Sequence, residues 1–447
     1  MARVTLLVAL RVVLALIVVL LLGATGIVDV RPAWGAVPPV PAISGPVNGP
    51  GLMYPNPPVN VVPTAAKVED FPYITEEFFV SGTIADAPFT TRIIVRRPKD
   101  VKAFSGTVVA EALHAGGRSL VFEWSRVSIL TRNHMFVEIV HSPANINLLE
   151  TFNAERYASL TIANGQTNDV IAQVGRLVKS RVGPFAPYDI RQITLMGTSA
   201  SSGTVRNYLA AHPNLRMPDG KPIFDGFLLT STNGNTPLPV VDVPMIQMPT
   251  QTEVVTHAEA GIKYRRPDSD DPANRFRLYE VAGMPHNNAR DNPGFQNDPC
   301  TLPVTDFHAG AFTGLALNHL VNWIARGTVP PRAPYIEVDQ NTANDGSHLA
   351  LDELGNAKGG IRNVWVEVPI ATYGVFGKGK APAQDRLCQL AGTEVPLPEA
   401  TLRKLYRNKE DYVSRVTRRL QELATAGWFL PEYVDAVRAD AAATSMP

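Results

Sequence analysis

Ile193-Thr194-Leu195-Met196-Gly197-Thr198-Ser199-Ala200-Ser201-Ser202-Gly203 is the stretch on which the fold of this chain turns. An apolar run leads straight into small-x-Ser-x-small, and Val205, Tyr208 and Leu209 then recur at helical spacing. A strand that bends this sharply into a helix strains the residue at the bend. The residues two before and two after it must be small so that the two backbones can pass. Gly197 and Ser201 stand at those places, which makes Ser199 the candidate nucleophile of a nucleophile elbow. The free N–H groups at the helix start, that of Ala200 first, then face the point where negative charge would develop. A Ser/Gly-rich turn capped by Ser201 or Ser202 is the plainer reading; the strand before and the helix after favour the elbow.

Outward from this point, short β-branched runs alternate with helical patterns from about Val68, which predicts an α/β fold. Strands are expected at Glu77–Ser81, Thr91–Arg97, Thr107–Leu113, Phe136–Val140, Gln192–Met196, Phe224–Leu229, Val243–Met248 and Arg275–Val281. Between the fourth and fifth, Val170, Ile171, Val174, Leu177 and Val178 mark one face of a helix that Thr167 or Asn168 would cap. After the eighth, Phe312, Leu315, Ala316, Leu320, Val321 and Ile324 line a second helix, closed by Gly327. Residues 333–400 read as loop, and Leu402 to Leu423 as mostly helical.

A serine hydroxyl needs an adjacent base to attack at neutral pH. In this strand order the base belongs just past the last core strand, where residues 276–286 read FRLYEVAGMPH. His286 alone of nine histidines has that order and context; His114 comes too early for the base, and His308, His319 and His348 lie beyond the last strand. The orienting acid belongs after the seventh strand. Glu253 is the first acid there, with Asp268, Asp270 and Asp271 competing from a surface-like loop and Asp242 at a strand entry. The loop after the third strand, Glu111-Ala112-Leu113-His114-Ala115-Gly116-Gly117, is expected to supply a second oxyanion donor from His114 or Ala115, beside that of Ala200.

Composition sets the outer bounds. The chain has 447 residues, with 41 Lys+Arg against 41 Asp+Glu, so nothing electrostatic draws it to nucleic acid. Residues 1–35 hold an apolar run over 4–22 interrupted by Arg11, followed by Ala24-Thr25-Gly26 and Ala33-Trp34-Gly35. This reads as a cleaved secretory signal or an uncleaved membrane anchor, and either implies export to the envelope, periplasm or exterior. There the two cysteines, Cys300 and Cys388, are able to form one bridge. Residues 36–67 read as a Pro/Gly-rich linker, 68–330 as the catalytic core, and 331–447 as an extension packed on that core. No motif for a metal or a dinucleotide appears, so no cofactor is expected.

In order along the chain, Glu76-Glu77-Phe78-Phe79-Val80-Ser81-Gly82, Thr91-Arg92-Ile93-Ile94-Val95-Arg96-Arg97-Pro98, Gly106-Thr107-Val108-Val109 with Glu111, and Glu155-Arg156-Tyr157-Ala158-Ser159-Leu160 precede the elbow. Val281-Ala282-Gly283-Met284-Pro285-His286, Asp352 to Arg362 and Pro369-Ile370-Ala371-Thr372-Tyr373 follow it. Together these pieces, over roughly 68–440, resemble a bacterial family of α/β-hydrolase domain-containing proteins of largely unassigned substrate. The resemblance implies an α/β-hydrolase fold, with a mostly parallel central sheet flanked by helices and a C-terminal loop/helix extension belonging to the same unit. This chain departs from the family pattern at Ala112 and His114 and at Ala200-Ser201-Ser202. The expected activity is ester hydrolysis through Ser199, His286 and Glu253 on a small-molecule or lipid-like ester. Acyl transfer to envelope lipids or sugars, and a non-catalytic binding protein that keeps the fold, are the alternatives.

Overall fold

Gln192–Thr198, the strand leading into Ser199, is buried at all seven positions, and Thr107–Ala112 beside it at all six. Parallel strands covered on both faces require that pattern. The computed structural model of the chain describes residues 37–54, 67–232, 234–339 and 348–446. Its strands are β1 (Ala42–Ser44), β2 (Tyr73–Ile84), β3 (Ala87–Pro98), β4 (Thr107–Ala112), β5 (Met135–Ile139), β6 (Gln192–Thr198), β7 (Gly226–Thr230), β8 (Met245–Met248) and β9 (Phe276–Leu278). They form one sheet in the order β1-β2-β3-β5-β4-β6-β7-β8-β9. From β5 to β9 every pairing is parallel, while β1, β2 and β3 join antiparallel at one edge. A separate antiparallel pair, β10 (Ala371–Val375) and β11 (Gly392–Pro396), lies in the C-terminal region.

The helices are α1 (Leu120–Thr131), α2 (Pro143–Phe152), α3 (Ala154–Tyr157), α4 (Thr167–Lys179), α5 (Ala200–Ala211), α6 (Gln251–Ala258), α7 (Ala309–Arg326), α8 (Val364–Glu367), α9 (Asp385–Gln389), α10 (Glu399–Leu405), α11 (Lys409–Thr425) and α12 (Val434–Ala443). On one face of the sheet, Ile171, Val174, Leu177 and Val178 of α4 and Val205, Tyr208 and Leu209 of α5 pack on Val108, Ile193, Leu195 and Phe227. On the other, α1 and α7 cover Val109, Met196, Leu228 and Ile246, and Tyr412, Val416 and Leu420 of α11 join that same cluster. The C-terminal region therefore shares a core with the sheet. Each aliphatic side chain buried this fully stabilises the fold by roughly 1.5–3 kcal/mol. The last turn of α7 ends at Gly327, whose φ of 67° lets its N–H reach back to the carbonyls of Asn322 and Trp323.

Several local expectations are corrected. Within the stretch read as linker, Ala42–Ser44 adds an edge strand to β2. The segment behind it is docked: Arg156 Nη2 donates to the Val47 carbonyl at 2.6 Å, and the Tyr54 N–H donates to the Tyr157 hydroxyl at 2.6 Å. The described part of residues 333–400, read as loop, holds β10, β11, the short helices α8 and α9 and a 3-10 turn at Pro382–Gln384. The helical stretch from Leu402 is broken before α11, where Asn408 accepts from the Asp411 N–H and caps a new start. Gln166, rather than Thr167 or Asn168, occupies the cap position of α4. β2 and β3 run longer than expected, over Tyr73–Ile84 and Ala87–Pro98, whereas β7 and β8 begin two residues late: Pro244 has no N–H to pair, and the Asp225 carboxylate accepts from the Ile193 N–H at 2.8 Å. Residues 1–35 lie outside the described residues, among which no helix is long and apolar enough to cross a membrane. Cys300 and Cys388 are joined by a disulfide.

Candidate active site

The bend after β6 has the strain that its sequence implies. Ser199 sits at φ 53°, ψ −123°, a region that side-chain-bearing residues rarely occupy. Gly197 is obligatory there, because a Cβ would run into the carbonyl of Ser201, with the Ser201 carbonyl carbon at 2.7 Å and Val205 Cγ2 at 2.8 Å. Ser201 is buried against the bend, its hydroxyl accepting from the Thr198 N–H and donating to the Thr198 carbonyl, both at 2.9 Å. The Ser199 N–H donates to the Thr230 carbonyl of β7 at 3.2 Å, and the Ser202 hydroxyl to the Ser199 carbonyl at 2.6 Å. Ala200 opens α5, so its N–H has no acceptor within the helix.

Ser199 Oγ lies 2.9 Å from His286 Nε2, and His286 Nδ1 lies 2.6 Å from Glu253 Oε1. A carboxylate only accepts, so the Nδ1 proton donates to Glu253 and Nε2 keeps the lone pair that faces the serine. The three sequence candidates thus come together in one relay from the ends of β6, β8 and β9. The competing acids are occupied elsewhere. Asp242 pairs with His212 and Arg216, Asp270 with Arg277 and Arg332, Asp268 accepts from the Leu278 N–H, and Asp271 turns back on the Ala273 N–H. His308 pairs with Asp440 and His319 contacts Tyr279.

The loop that carries His286 is clamped by groups to which sequence reasoning assigned no role. From the start of α6, Gln251 Oε1 accepts from the Gly283 N–H at 2.6 Å and Thr252 Oγ1 from the His286 N–H at 3.0 Å. The Gln251 N–H donates to the Met284 carbonyl at 2.8 Å. From the C-terminal region, the Leu390 carbonyl accepts from Asn287 and the Asn287 carbonyl from Gly392, both at 2.9 Å. Their nearness to Glu253 in sequence was a usable signal for Gln251 and Thr252; Leu390 and Gly392 act through their backbones and leave none.

One oxyanion expectation changes. The His114 N–H, expected as a donor, is turned inward to the Arg118 carbonyl at 3.3 Å because residues 114–118 close into a tight turn. Its carbonyl accepts from Gly117 at 2.8 Å and from Asn145 Nδ2 at 3.3 Å. What His114 offers is its ring. Burial, then the neighbouring His286 and Arg118, draw that imidazole down to about 4, so it is uncharged at neutral pH. The strand behind it carries Glu111 next to its last residue, and the Glu111 carboxyl accepts from Ser119 Oγ at 2.7 Å and from the N–H groups of Val121 and Phe122 at the start of α1. Burial nonetheless pushes Glu111 up to about 8. Among the described residues, no group of three or more His, Cys, Asp or Glu is placed to hold a metal ion.

No curated protein matches the chain. Among solved structures it is similar to a prolyl endopeptidase (8% identity, TM-score 0.28, covering 47% of this chain and only 35% of that one). It is also similar to esterase Est22 (9% identity, TM-score 0.31, 47% of this chain and 71% of that one). A third is LpqC, the poly(3-hydroxybutyrate) depolymerase from Bordetella parapertussis (12% identity, TM-score 0.33, 60% of this chain and 94% of that one). A family model described as an alpha/beta hydrolase domain matches residues 43–439, from the edge strand β1 through to α12. The chain belongs to the alpha/beta hydrolase domain family.

Proposed function

We propose that this protein hydrolyses carboxylic esters through an acyl-enzyme on Ser199. The observation that carries this reading is the relay of Ser199, His286 and Glu253 at 2.9 and 2.6 Å, with the serine held on a strained bend at the start of α5. Ser199 Oγ adds to the ester carbonyl carbon while His286 Nε2 takes its proton, and Glu253 stabilises the imidazolium that forms. The carbonyl oxygen becomes an oxyanion opposite the Ala200 N–H. Collapse of the tetrahedral adduct breaks the C–O bond, and His286 returns its proton to the departing alkoxide. Water then repeats the sequence on the acyl-serine and releases the acid. Neutral net charge and a half-buried Ser199 suit an uncharged, small or lipid-like ester.

The test is Ser199→Ala on a p-nitrophenyl ester. The variant should lose on the order of 10⁴–10⁶ in kcat while keeping its melting temperature. Retention of most of the rate would refute the assignment. We also propose that the protein works outside the cytoplasm. The apolar segment within residues 4–22 and the Cys300–Cys388 bridge support that reading, and fractionation of cells expressing the full chain tests it.

A further inference from the structure

Once the loop after β4 has closed on itself, it has few N–H groups left for an oxyanion. That of His114 is spent on Arg118, that of Gly117 on the His114 carbonyl, and that of Gly116 on His114 Nδ1 at 2.9 Å. The last of these bonds decides the chemistry of the ring. A backbone amide can only donate, so Nδ1 carries a lone pair and the single proton of the neutral imidazole sits on Nε2. Nε2 is buried and has no hydrogen-bond partner among the described residues. A buried donor without a protein acceptor is unfavourable unless water or a ligand accepts from it.

The strand register says at which end of the sheet His114 lies. β4 and β6 run parallel, with Val109 opposite Thr194 and Glu111 opposite Met196. The pairing ends there, and His114 and Ser199 each lie three residues beyond it, past the same end of the sheet. The His286 imidazole is near enough to help hold the His114 ring uncharged. It is also held still: the His114 carbonyl is gripped by Gly117 and Asn145, and the loop's far end by Glu111 on Ser119. A fixed, uncharged donor beside the nucleophile is what a developing oxyanion needs. A charged one would oppose the proton that His286 must accept. Neutral imidazole is known to polarise a substrate carbonyl in this way in other enzymes.

We propose that His114 is a catalytic residue, its side-chain Nε2–H serving with the Ala200 N–H as the second donor to the oxyanion formed when Ser199 adds to the ester. This rests on the proposed ester hydrolysis. It differs from that reading in placing a side chain where a second backbone amide would otherwise stand.

The experiment compares His114→Phe, which keeps a ring without a donor, with His114→Gln, which restores an N–H at similar reach. On a p-nitrophenyl ester, His114→Phe should lose about 10²–10³ in kcat with KM changed no more than about threefold, since the ground-state carbonyl gains less from the donor than the oxyanion does. An aryl trifluoromethyl ketone, which adds to Ser199 as an anionic hemiketal, should bind more weakly to His114→Phe by a similar factor. His114→Gln should recover to within about tenfold on both measures. Melting temperatures identify a variant that fails to fold. Independently of any variant, ¹⁵N NMR of the wild-type protein should find His114 protonated on Nε2 and not on Nδ1. Wild-type kcat and ketone affinity in His114→Phe would overturn the proposal and shift the donor to the Ala115 N–H; a proton on Nδ1 would overturn it as well. Loss of activity in Ser199→Ala with none in His114→Phe sinks this inference alone, whereas an active Ser199→Ala removes the hydrolytic reading beneath it.

Discussion

Glu253→Gln tests the relay with almost no change of shape. The two carboxylate oxygens have separate duties: Oε1 accepts from His286 Nδ1 at 2.6 Å, and Oε2 accepts from both the N–H and the hydroxyl of Thr250 at 2.7 Å. Glutamine has a single acceptor oxygen for these two sides. The Thr250 N–H is buried at the start of α6 and would be orphaned without it, so the amide oxygen is expected to turn that way. The amide NH₂ then faces Nδ1 and demands a lone pair there. His286 answers by moving its proton to Nε2, which now points a hydrogen at Ser199 Oγ and can no longer take one. The equivalent exchange of acid for amide in a serine protease costs about 10⁴ in kcat. That corresponds to about 5.5 kcal/mol of barrier at 1.36 kcal/mol per decade. Because the helix start keeps its acceptor, stability should fall by no more than about 1 kcal/mol. Steady-state kinetics on a p-nitrophenyl ester, read with a thermal melt, should therefore show kcat down by about 10⁴, KM little changed and the fold intact. A folded Glu253→Gln within tenfold of wild-type kcat would mean that this carboxylate merely caps α6 and that the reasoning is wrong.

Arg92 is fully buried and binds Glu77 and Glu138, each at 2.7 Å; Arg92→Met leaves those carboxylates short of a partner and should cost about 3–5 kcal/mol in urea unfolding. A loss under about 1 kcal/mol would show that the network contributes little. Burial, then Arg132, hold the His134 imidazole down to about 3, so between pH 6.5 and that value the unfolded chain binds a proton that the native protein refuses. Stability should fall with acidification through that window by about 1.4 kcal/mol per pH unit for this group, and His134→Asn should flatten the curve by that slope. The Cys300–Cys388 bridge closes a loop 88 residues apart in sequence, for which chain entropy alone suggests about 4–5 kcal/mol. Opening it with dithiothreitol, or by Cys300→Ala with Cys388→Ala, should lower the melting temperature. It should also lower kcat, since residues 390–392 brace the loop of His286; a variant with unchanged kcat would show that the brace stands without the bridge.

The elbow was legible because its constraint is local. Gly197 has no room for a Cβ against the Ser201 backbone, a clash fixed within five residues of chain. His286 and Glu253 followed from chain order, since parallel strands deliver their carboxyl ends to one edge in a fixed sequence. The apolar face of α4 was equally plain, its large aliphatic residues Val170, Ile171, Val174, Leu177 and Val178 recurring at helical spacing. The edge strand Ala42–Ser44 was hidden in a Pro-rich stretch, because an edge strand of three residues is made by its partner β2 and not by its own propensity. The pair β10 and β11 was hidden for the same reason, in a segment whose glycines and prolines read as loop.

Residue identities, then, determined the bend, the candidate nucleophile with its proposed base and acid, and the layered α/β plan, because each depends on steric, periodic or chain-order rules. Only the folded chain decided how these parts are held. The carbonyls of Leu390 and Asn287 brace the histidine loop, Gln251 and Thr252 fasten it to α6, and the Gly116 N–H selects the tautomer of His114. Those choices are made by backbone groups that every residue carries, brought together across the chain by packing, and so no letter of the sequence announces them.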